Sequence, residues 1–268
     1  MSSILFEIKD SIGIITLNRP GRLNAFNREM ALLLQSTLDE CKSKEIRAVY
    51  ISGAGKAFCS GQDLAEVAPS LPIIIGTPTG EEPITMAKIL SEHYNPIITR
   101  IRNLEKPVVA AVNGVAAGAG ANIALCCDVV IATESASFIQ AFSKIGLIPD
   151  SGGTHTLPRL IGWQKASALM MLGEKVSATE AERIGMIYKV FSDETFAENS
   201  MNIATLLAQM PTKSLAFTKQ LLNKSFTSTF EEQLQEEDAY QQKAAGTEDY
   251  KEGVKAFLEK RIPKFRGE

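Results

Sequence analysis

Two short runs open the chain, ILFEIKD and IGIITLN, with Asp10-Ser11 between them. Alternation of apolar and polar positions marks half-buried strands, so the pair reads as a β-hairpin. Asn27 then stands where an N-cap belongs, and Met30, Leu33, Leu34 and Leu38 share one helical face. That spacing predicts a helix from about Arg28 to Lys42. IRAVYISG, residues 46–53, is rich in β-branched residues and ends in glycine, which reads as a buried strand. Residues 67–83 hold the proline- and glycine-containing run PSLPIIIGTPTGEEP, the pattern of a loop and the best candidate for a mobile segment. A helix is expected after it, to about Leu104, broken or kinked near Pro96.

VVAAVNG reads as a strand, AAGAGANIALCCD as the start of a small-residue helix, and VVIAT and SFI as further strands. Strand and helix alternate to about Phe191, which predicts an α/β fold with crossover connections. Strands stop there. Residues 194–268 read as successive amphipathic helices, ending in DYKEGVKAFLEKRIPKF. The shift near residue 195 divides the chain into a core, 1–195, and a helical region, 196–268.

Composition narrows the function. The 268 residues are 45% hydrophobic with a formal net charge of −3, and the short basic pieces, such as Lys42-Ser43-Lys44, form no stripe. A nucleic-acid partner is therefore not expected. Cys126 and Cys127 are adjacent, a poor ligand spacing, and there are two histidines, His93 and His155, so no metal site is expected and the thiols read as buried. The N-terminal MSSILFEIKD lacks the pattern of a signal peptide, and no apolar run is long enough to span a bilayer. A cytoplasmic protein without a membrane partner is the expectation.

Three stretches are candidates for chemistry. In KAFCSGQDL a strand runs into a turn at Gly61, where backbone amides can point at a ligand or simply make a β-to-α turn. In NGVAAGAGAN small residues surround a helix start. The first-turn N–H groups of a helix lack intrahelical partners and suit an oxyanion, while small residues equally suit close helix packing. In GLIPDSGGT, Asp150 precedes a helix, the place of a cap. Its neighbours Leu147, Ile148 and Pro149 are apolar, and desolvation raises a carboxylate toward the range of a general base. The stretch alone leaves cap and base both open.

Taken together, LNRPGRLNAF, FCSGQDL, KPVVAAVNGVAAGAGAN, AFSKIGLIPDSGGT and EGVKAFLEKR resemble, in order and over nearly the whole chain, the crotonase (enoyl-CoA hydratase/isomerase) superfamily. The resemblance implies a spiral of ββα units followed by a helical trimerisation region. It implies acyl-CoA thioester substrates, with coenzyme A as part of the substrate and no resident cofactor. It implies an enolate held by two backbone N–H groups, which by motif are those of Gln62 and Ala119. CoA would lie across Arg22, Ala25 and the Gln62, Asp63 and Leu64 backbone. Phe257 and Lys260 would reach the CoA of a neighbouring copy in a homotrimer or a dimer of trimers; their plainer reading is a packing phenylalanine and a solvated lysine. Ala141 and Phe142 would shape an acyl slot, or only pack in the core.

The departures from the family pattern point to a reaction. Where family hydratases carry two glutamates, this chain has Asn122 and Phe142, and where they often have glycine it has Asp150. One carboxylate suffices for an isomerase. The pattern looks most like family members that convert a ring-1,2-epoxyphenylacetyl-CoA to an oxepin-CoA, or shift a β,γ double bond to α,β. The alternatives are a hydratase, a dehalogenase-like enzyme using Asp150 as nucleophile with help from a residue such as His93, or a non-enzymatic RNA-binding or scaffold member.

Overall fold

The computed structural model describes residues 2–67 and 88–268. All but Val67 of the segment 67–83 lies outside the described residues.

The expected hairpin forms from β1 (Ile4–Lys9) and β2 (Ile12–Leu17), paired antiparallel from Ile4 opposite Leu17 to Lys9 opposite Ile12. Asp10 and Ser11 make the turn with φ of 50° and 62°. A two-residue turn with both central residues left-handed matches the right-handed twist of the strands it joins. Asn27 caps the helix Arg28–Glu40, its side chain accepting from the Met30 N–H.

The strands then come in pairs. Each pair consists of a strand of a large sheet and a short strand of a second sheet: β3 (Ala48–Gly53) with β4 (Ala57–Cys59), β5 (Val108–Val112) with β6 (Val115–Ala117), and β7 (Val129–Thr133) with β8 (Ser137–Ile139). A helix follows each pair, giving a stack of ββα turns. β9 (Lys175–Ser177) and β10 (Lys189–Phe191) complete the sheets, whose orders are β1-β2-β3-β5-β7-β10 and β4-β6-β8-β9. Only the β1-β2 and β8-β9 pairs are antiparallel. The chain crosses between sheets at tight corners that stack on one another. A Cβ on Gly114, between β5 and β6, would lie 2.1 Å from the carbonyl oxygen of Lys56, between β3 and β4. No side chain fits there.

Both faces of the large sheet are covered, as a mostly parallel sheet requires. Val49, Ile51, Val108, Ala110 and Val112 face one core with Met30, Leu34, Ile97, Ile101 and Ile123. The alternate positions Ala48, Tyr50, Val109 and Ala111 face Phe196, Ala204 and Ala208 of the helix Phe196–Gln209, and the Tyr50 hydroxyl bonds Ser200 at 2.8 Å. Three more helices follow, Thr212–Ser225, Phe230–Ala245 and Glu248–Leu258. Arg47 ties this region to the sheet: its guanidinium donates to the Met210 carbonyl at 2.6 Å, the Thr212 hydroxyl at 3.0 Å and the Phe265 carbonyl at 2.8 Å. All four cysteines are buried and unpaired. No helix among the described residues is long and apolar enough to cross a membrane.

Two elements differ from the sequence expectation. Ala116 and Ala117, expected at a helix start, belong to the strand Val115–Ala117, because β4 and β8 both pair with it. Near Pro96 the helix is not broken but changes pitch just before the proline. A π-helical turn, Ile89–Tyr94, runs into the α-helix Asn95–Asn103, and the Asn95 N–H bonds the Leu90 carbonyl five residues back. Pro96 stands in the first α turn directly after the π turn, and as a proline inside a continuous helix it leaves the ladder one N–H short.

Candidate active site

The turn after β4 is shaped around one peptide group. Gly61 has φ of 96°. The Phe26 N–H donates to the Gly61 carbonyl at 2.7 Å, and the Asp63 N–H donates to the Phe26 carbonyl at 2.8 Å. This parallel bridge straddles Gln62. In a planar trans peptide the N–H points opposite to the C=O. With the Gly61 C=O turned to Phe26, the Gln62 N–H is turned the other way. A Cβ on Gly61 would lie 3.6 Å from the Ala119 nitrogen, so the helix Ala119–Leu125 begins beside this turn. Ala119 is the first helical residue, and its N–H has no acceptor within the helix. Among the described residues neither the Gln62 nor the Ala119 N–H donates to a backbone carbonyl in a turn, loop or cap.

Gln62 and Ala119 border a cavity of about 150 Å³ that Asp150, Leu64, Ala141 and Phe142 also line. Six of the residues singled out in the sequence thus converge. Arg22, Ala25 and Asp63 do not line the cavity, but belong to the loops beside it. Asp63 pairs with Arg19 at 2.9 Å, and the same guanidinium donates to the Ala25 carbonyl. Arg22 is exposed. Phe257 lies elsewhere, 82% exposed in a groove among the C-terminal helices. Lys260, beyond the last helix, is exposed with φ of 54°.

Asp150 is not a cap. The helix Gly153–Ile161 has Gly152 at its N-cap and no side-chain cap bond. The Asp150 carboxylate instead accepts the Ser151 hydroxyl at 2.8 Å. Its backbone carbonyl is held twice, by the Gly153 N–H at 2.9 Å and by Asn122 Nδ2 at 2.8 Å. Asn122 is fully buried, and its Oδ1 accepts from Gln140 Nε2 at 2.8 Å. A Cβ on Gly153 would lie 2.3 Å from Asn122 Nδ2, so the two segments touch with no room to spare. Burial raises the Asp150 pKa above the ordinary 3.8, and the Ser151 hydrogen bond partly opposes the rise.

That shift has a consequence for stability. A carboxyl whose pKa is raised by folding holds its proton more tightly folded than unfolded, so stability is gained below pH 3.8 and lost as pH rises through the folded value. At neutral pH the ionised Asp150 therefore costs stability. Asp150→Asn is expected to melt above the wild type at pH 7, with the difference shrinking as pH falls toward 4. Differential scanning calorimetry at the two pH values checks this; an equal offset at both would assign the effect to packing.

Tyr94, Ile89, Ile145 and Leu147 complete much of the apolar wall; of these the sequence reading names Leu147 alone, as an apolar neighbour of Asp150. Tyr94 is 1% exposed and donates its hydroxyl to Gln62 Oε1 at 2.8 Å. Its neighbour His93, singled out in the sequence, is buried with no partner for Nδ1 and is not part of the cavity lining. Burial lowers the His93 pKa, leaving it neutral. A nucleophilic role for Asp150 assisted by His93 gains no support from this arrangement. Behind the Gly61 turn, burial pushes the Cys59 thiol up to about 12, so no thiolate is offered.

Residues 7–268 match the family model described as enoyl-CoA hydratase/isomerase. The chain belongs to the enoyl-CoA hydratase/isomerase family. A family relative from Escherichia coli (strain K12), 1,2-epoxyphenylacetyl-CoA isomerase, is 45% identical over 268 residues, covering 100% of this chain and 99% of the relative. A trans-2-decenoyl-[acyl-carrier-protein] isomerase from Streptococcus mutans is 34% identical over 98% of both chains. The crystal structure of an enoyl-CoA hydratase from Bacillus anthracis superposes with a TM-score of 0.88 at 31% identity, over 99% of this chain and 100% of that one. The mixed α/β architecture with its helical C-terminal region is that of the family, whose members carry out both isomerisation and hydration.

Proposed function

We propose that the chain is an acyl-CoA isomerase in which Asp150 moves a single proton between two carbons of a bound thioester. The observation that carries the reading is that Asp150 is the only carboxylate among the described residues lining the cavity. Hydration needs one group to activate water and another to deliver a proton, whereas a 1,3-proton shift needs one group that does both in turn. The Asp150 carboxylate takes a proton from the α-carbon. The electron pair moves into the thioester carbonyl, whose oxygen receives the Gln62 and Ala119 N–H groups. The carboxylic acid then returns the proton to the γ-carbon, and the double bond ends α,β to the carbonyl. Donors already aimed at the developing charge lower the barrier by about 3 kcal/mol each.

The 45% identity to the epoxyphenylacetyl-CoA isomerase and the apolar wall favour an aryl-derived substrate. A cavity of about 150 Å³ is of the size that an apolar protein interior offers to a benzene ring. Cleavage of the carbon–carbon bond shared by a ring epoxide gives a seven-membered oxepin. Its ring double bond then stands β,γ to the thioester, and the same proton shift conjugates it. In this reading Ala141 and Phe142 face the ring. CoA lies across Arg22, Ala25 and the backbone of 62–64, with Arg22 offering charge-assisted hydrogen bonds to phosphate. Phe257 and Lys260 of a neighbouring copy complete the site in a homotrimer built through residues 196–268; the exposed Phe257, Leu258 and Ile262 support that assembly.

The reading is tested by offering the protein a ring-epoxyphenylacetyl-CoA, a β,γ-enoyl-CoA, an α,β-enoyl-CoA and a 4-chlorobenzoyl-CoA, and separating the products. Oxepin-CoA from the first, or a conjugated thioester from the second, is the expected result. Rapid 3-hydroxyacyl-CoA formation from the third or chloride release from the fourth, with the first two unchanged, would replace it with the hydratase or the dehalogenase.

A further inference from the structure

Tyr94 closes part of the cavity wall, and the proposed proton shift gives it no work. Its surroundings do. The hydroxyl donates to Gln62 Oε1 at 2.8 Å, Gln62 Nε2 donates to Glu66 Oε2 at 3.0 Å, and Glu66 Oε1 accepts the Arg28 N–H at 2.9 Å. The chain of bonds ends at the first turn of the helix Arg28–Glu40. The Tyr94 ring meets Phe26 edge-on, with centroids 6.0 Å apart and planes at 69°. Phe26 is the residue whose N–H fixes the Gly61–Gln62 peptide. Tyr94 therefore holds Gln62 by two routes, through the end of its side chain and through the partner of its backbone.

The π turn explains how one tyrosine reaches both. Ile89 and Tyr94 stand five residues apart and both line the cavity. The i→i+5 pitch of a π turn brings such residues to one side, where an α turn would carry them apart, and single π turns recur at functional sites.

We infer that Tyr94 is a positioning residue for the oxyanion site, setting through Gln62 and Phe26 the direction of the Gln62 N–H that holds the thioester oxygen. The inference rests on the proposed isomerase reading for its rate readout, but not for its spectroscopic one. Tyr94→Phe keeps the ring against Phe26 and removes the hydroxyl. Gln62→Met keeps the backbone donor and the length of the side chain while removing the acceptor.

Two measurements on the full chain decide it. The first is a double-mutant cycle on kcat and KM. Each single variant is expected to lower kcat about 10-fold, a fraction of the 10²–10³ that outright loss of a donor costs, with KM little changed. The double variant is expected to be no slower than the worse single, because both remove one link. The second is the infrared carbonyl band of bound, ¹³C-labelled phenylacetyl-CoA, a thioester that does not isomerise. Both singles should lose part of the red shift that the oxyanion donors impose.

Additive losses in kcat, or an unshifted carbonyl band in the two singles, would overturn the inference. Should Tyr94→Phe fail to fold, Gln62→Met with wild-type kcat and carbonyl band would overturn it alone. Asp150→Asn run beside them keeps the two questions apart: wild-type turnover in that variant sinks the proton-shift reading, while the carbonyl band still reports on Tyr94.

Discussion

Asp150→Asn is expected to lower turnover by about 100-fold or more, the range that loss of a positioned general base costs. A factor of 100 corresponds to about 2.7 kcal/mol of transition-state stabilisation. Affinity for an unreactive thioester such as phenylacetyl-CoA should stay near wild type. The reasons lie in the site. Asparagine has the shape of aspartate, and its amide oxygen can still accept the Ser151 hydroxyl that now bonds the carboxylate at 2.8 Å. The backbone bonds from Asn122 and Gly153 do not involve the side chain. The groups assigned to grip the thioester, the two N–H donors and the apolar wall, are untouched. Steady-state kinetics with calorimetric titration checks both halves. Exchange of the α-protons with deuterated water, followed by NMR, isolates the proton-removal step. Wild-type turnover would leave Asp150 a structural residue. In wild-type enzyme, kcat/KM should fall on the acid side with an inflection above 3.8, since the base must be ionised and burial raises its pKa.

The second large effect comes from a position without a side chain. A Cβ on Gly120 would lie 2.4 Å from the Cys59 carbonyl oxygen, 2.6 Å from its Sγ and 2.7 Å from its Cβ. Backbone is among these atoms, and β4 is paired to β6 on both sides of an irregularity between Ala57 and Cys59, so a swinging side chain alone cannot relieve the clash. Gly120→Ala must push the helix Ala119–Leu125 off β4. Overpacking of this kind costs about 1–3 kcal/mol, or roughly 2–4 °C of melting temperature per kcal/mol in a protein near this size. The same displacement carries the Ala119 N–H away from the place proposed for the thioester oxygen. Turnover should fall toward the 10²–10³ that a lost oxyanion donor costs. Gly21→Ala, where an added Cβ meets nothing within 4 Å, is the control and should change neither. A Gly120→Ala protein with wild-type melting and turnover would show that the helix start can shift freely.

Local chemistry made much of this legible beforehand. The hairpin at Asp10-Ser11, the Asn27 cap and the buried strand at Ala48–Gly53 depend on near neighbours in sequence, and each is readable from the residues themselves. The convergence of Gln62, Ala119 and Asp150 came from motif resemblance. Nothing in composition or periodicity sets 62, 119 and 150 around one space. What could not be read depends on distant partners. Val115–Ala117 is rich in alanine and leads into a helix, yet it is a strand because two strands flank it. Tyr94 left no mark in the sequence, because a π turn shifts the helical face by a fraction of a turn that apolar spacing does not record. The adjacent His93, a candidate by residue type, is buried away from the cavity lining. The Asp150 stretch reads as cap or as base, and the positive φ of Ser151 and Gly152 decides against the cap by starting the helix late.

The loop that bears Asp150 is fastened by its backbone carbonyl to a neutral amide, Asn122, rather than by its carboxylate to a cation. A carboxylate anchored in an ion pair loses its anchor whenever it picks up a proton. Here the mounting is indifferent to charge. In the proposed proton shift the acid would be loaded and emptied while the segment carrying it stays fixed, so geometry and protonation state are set by separate atoms.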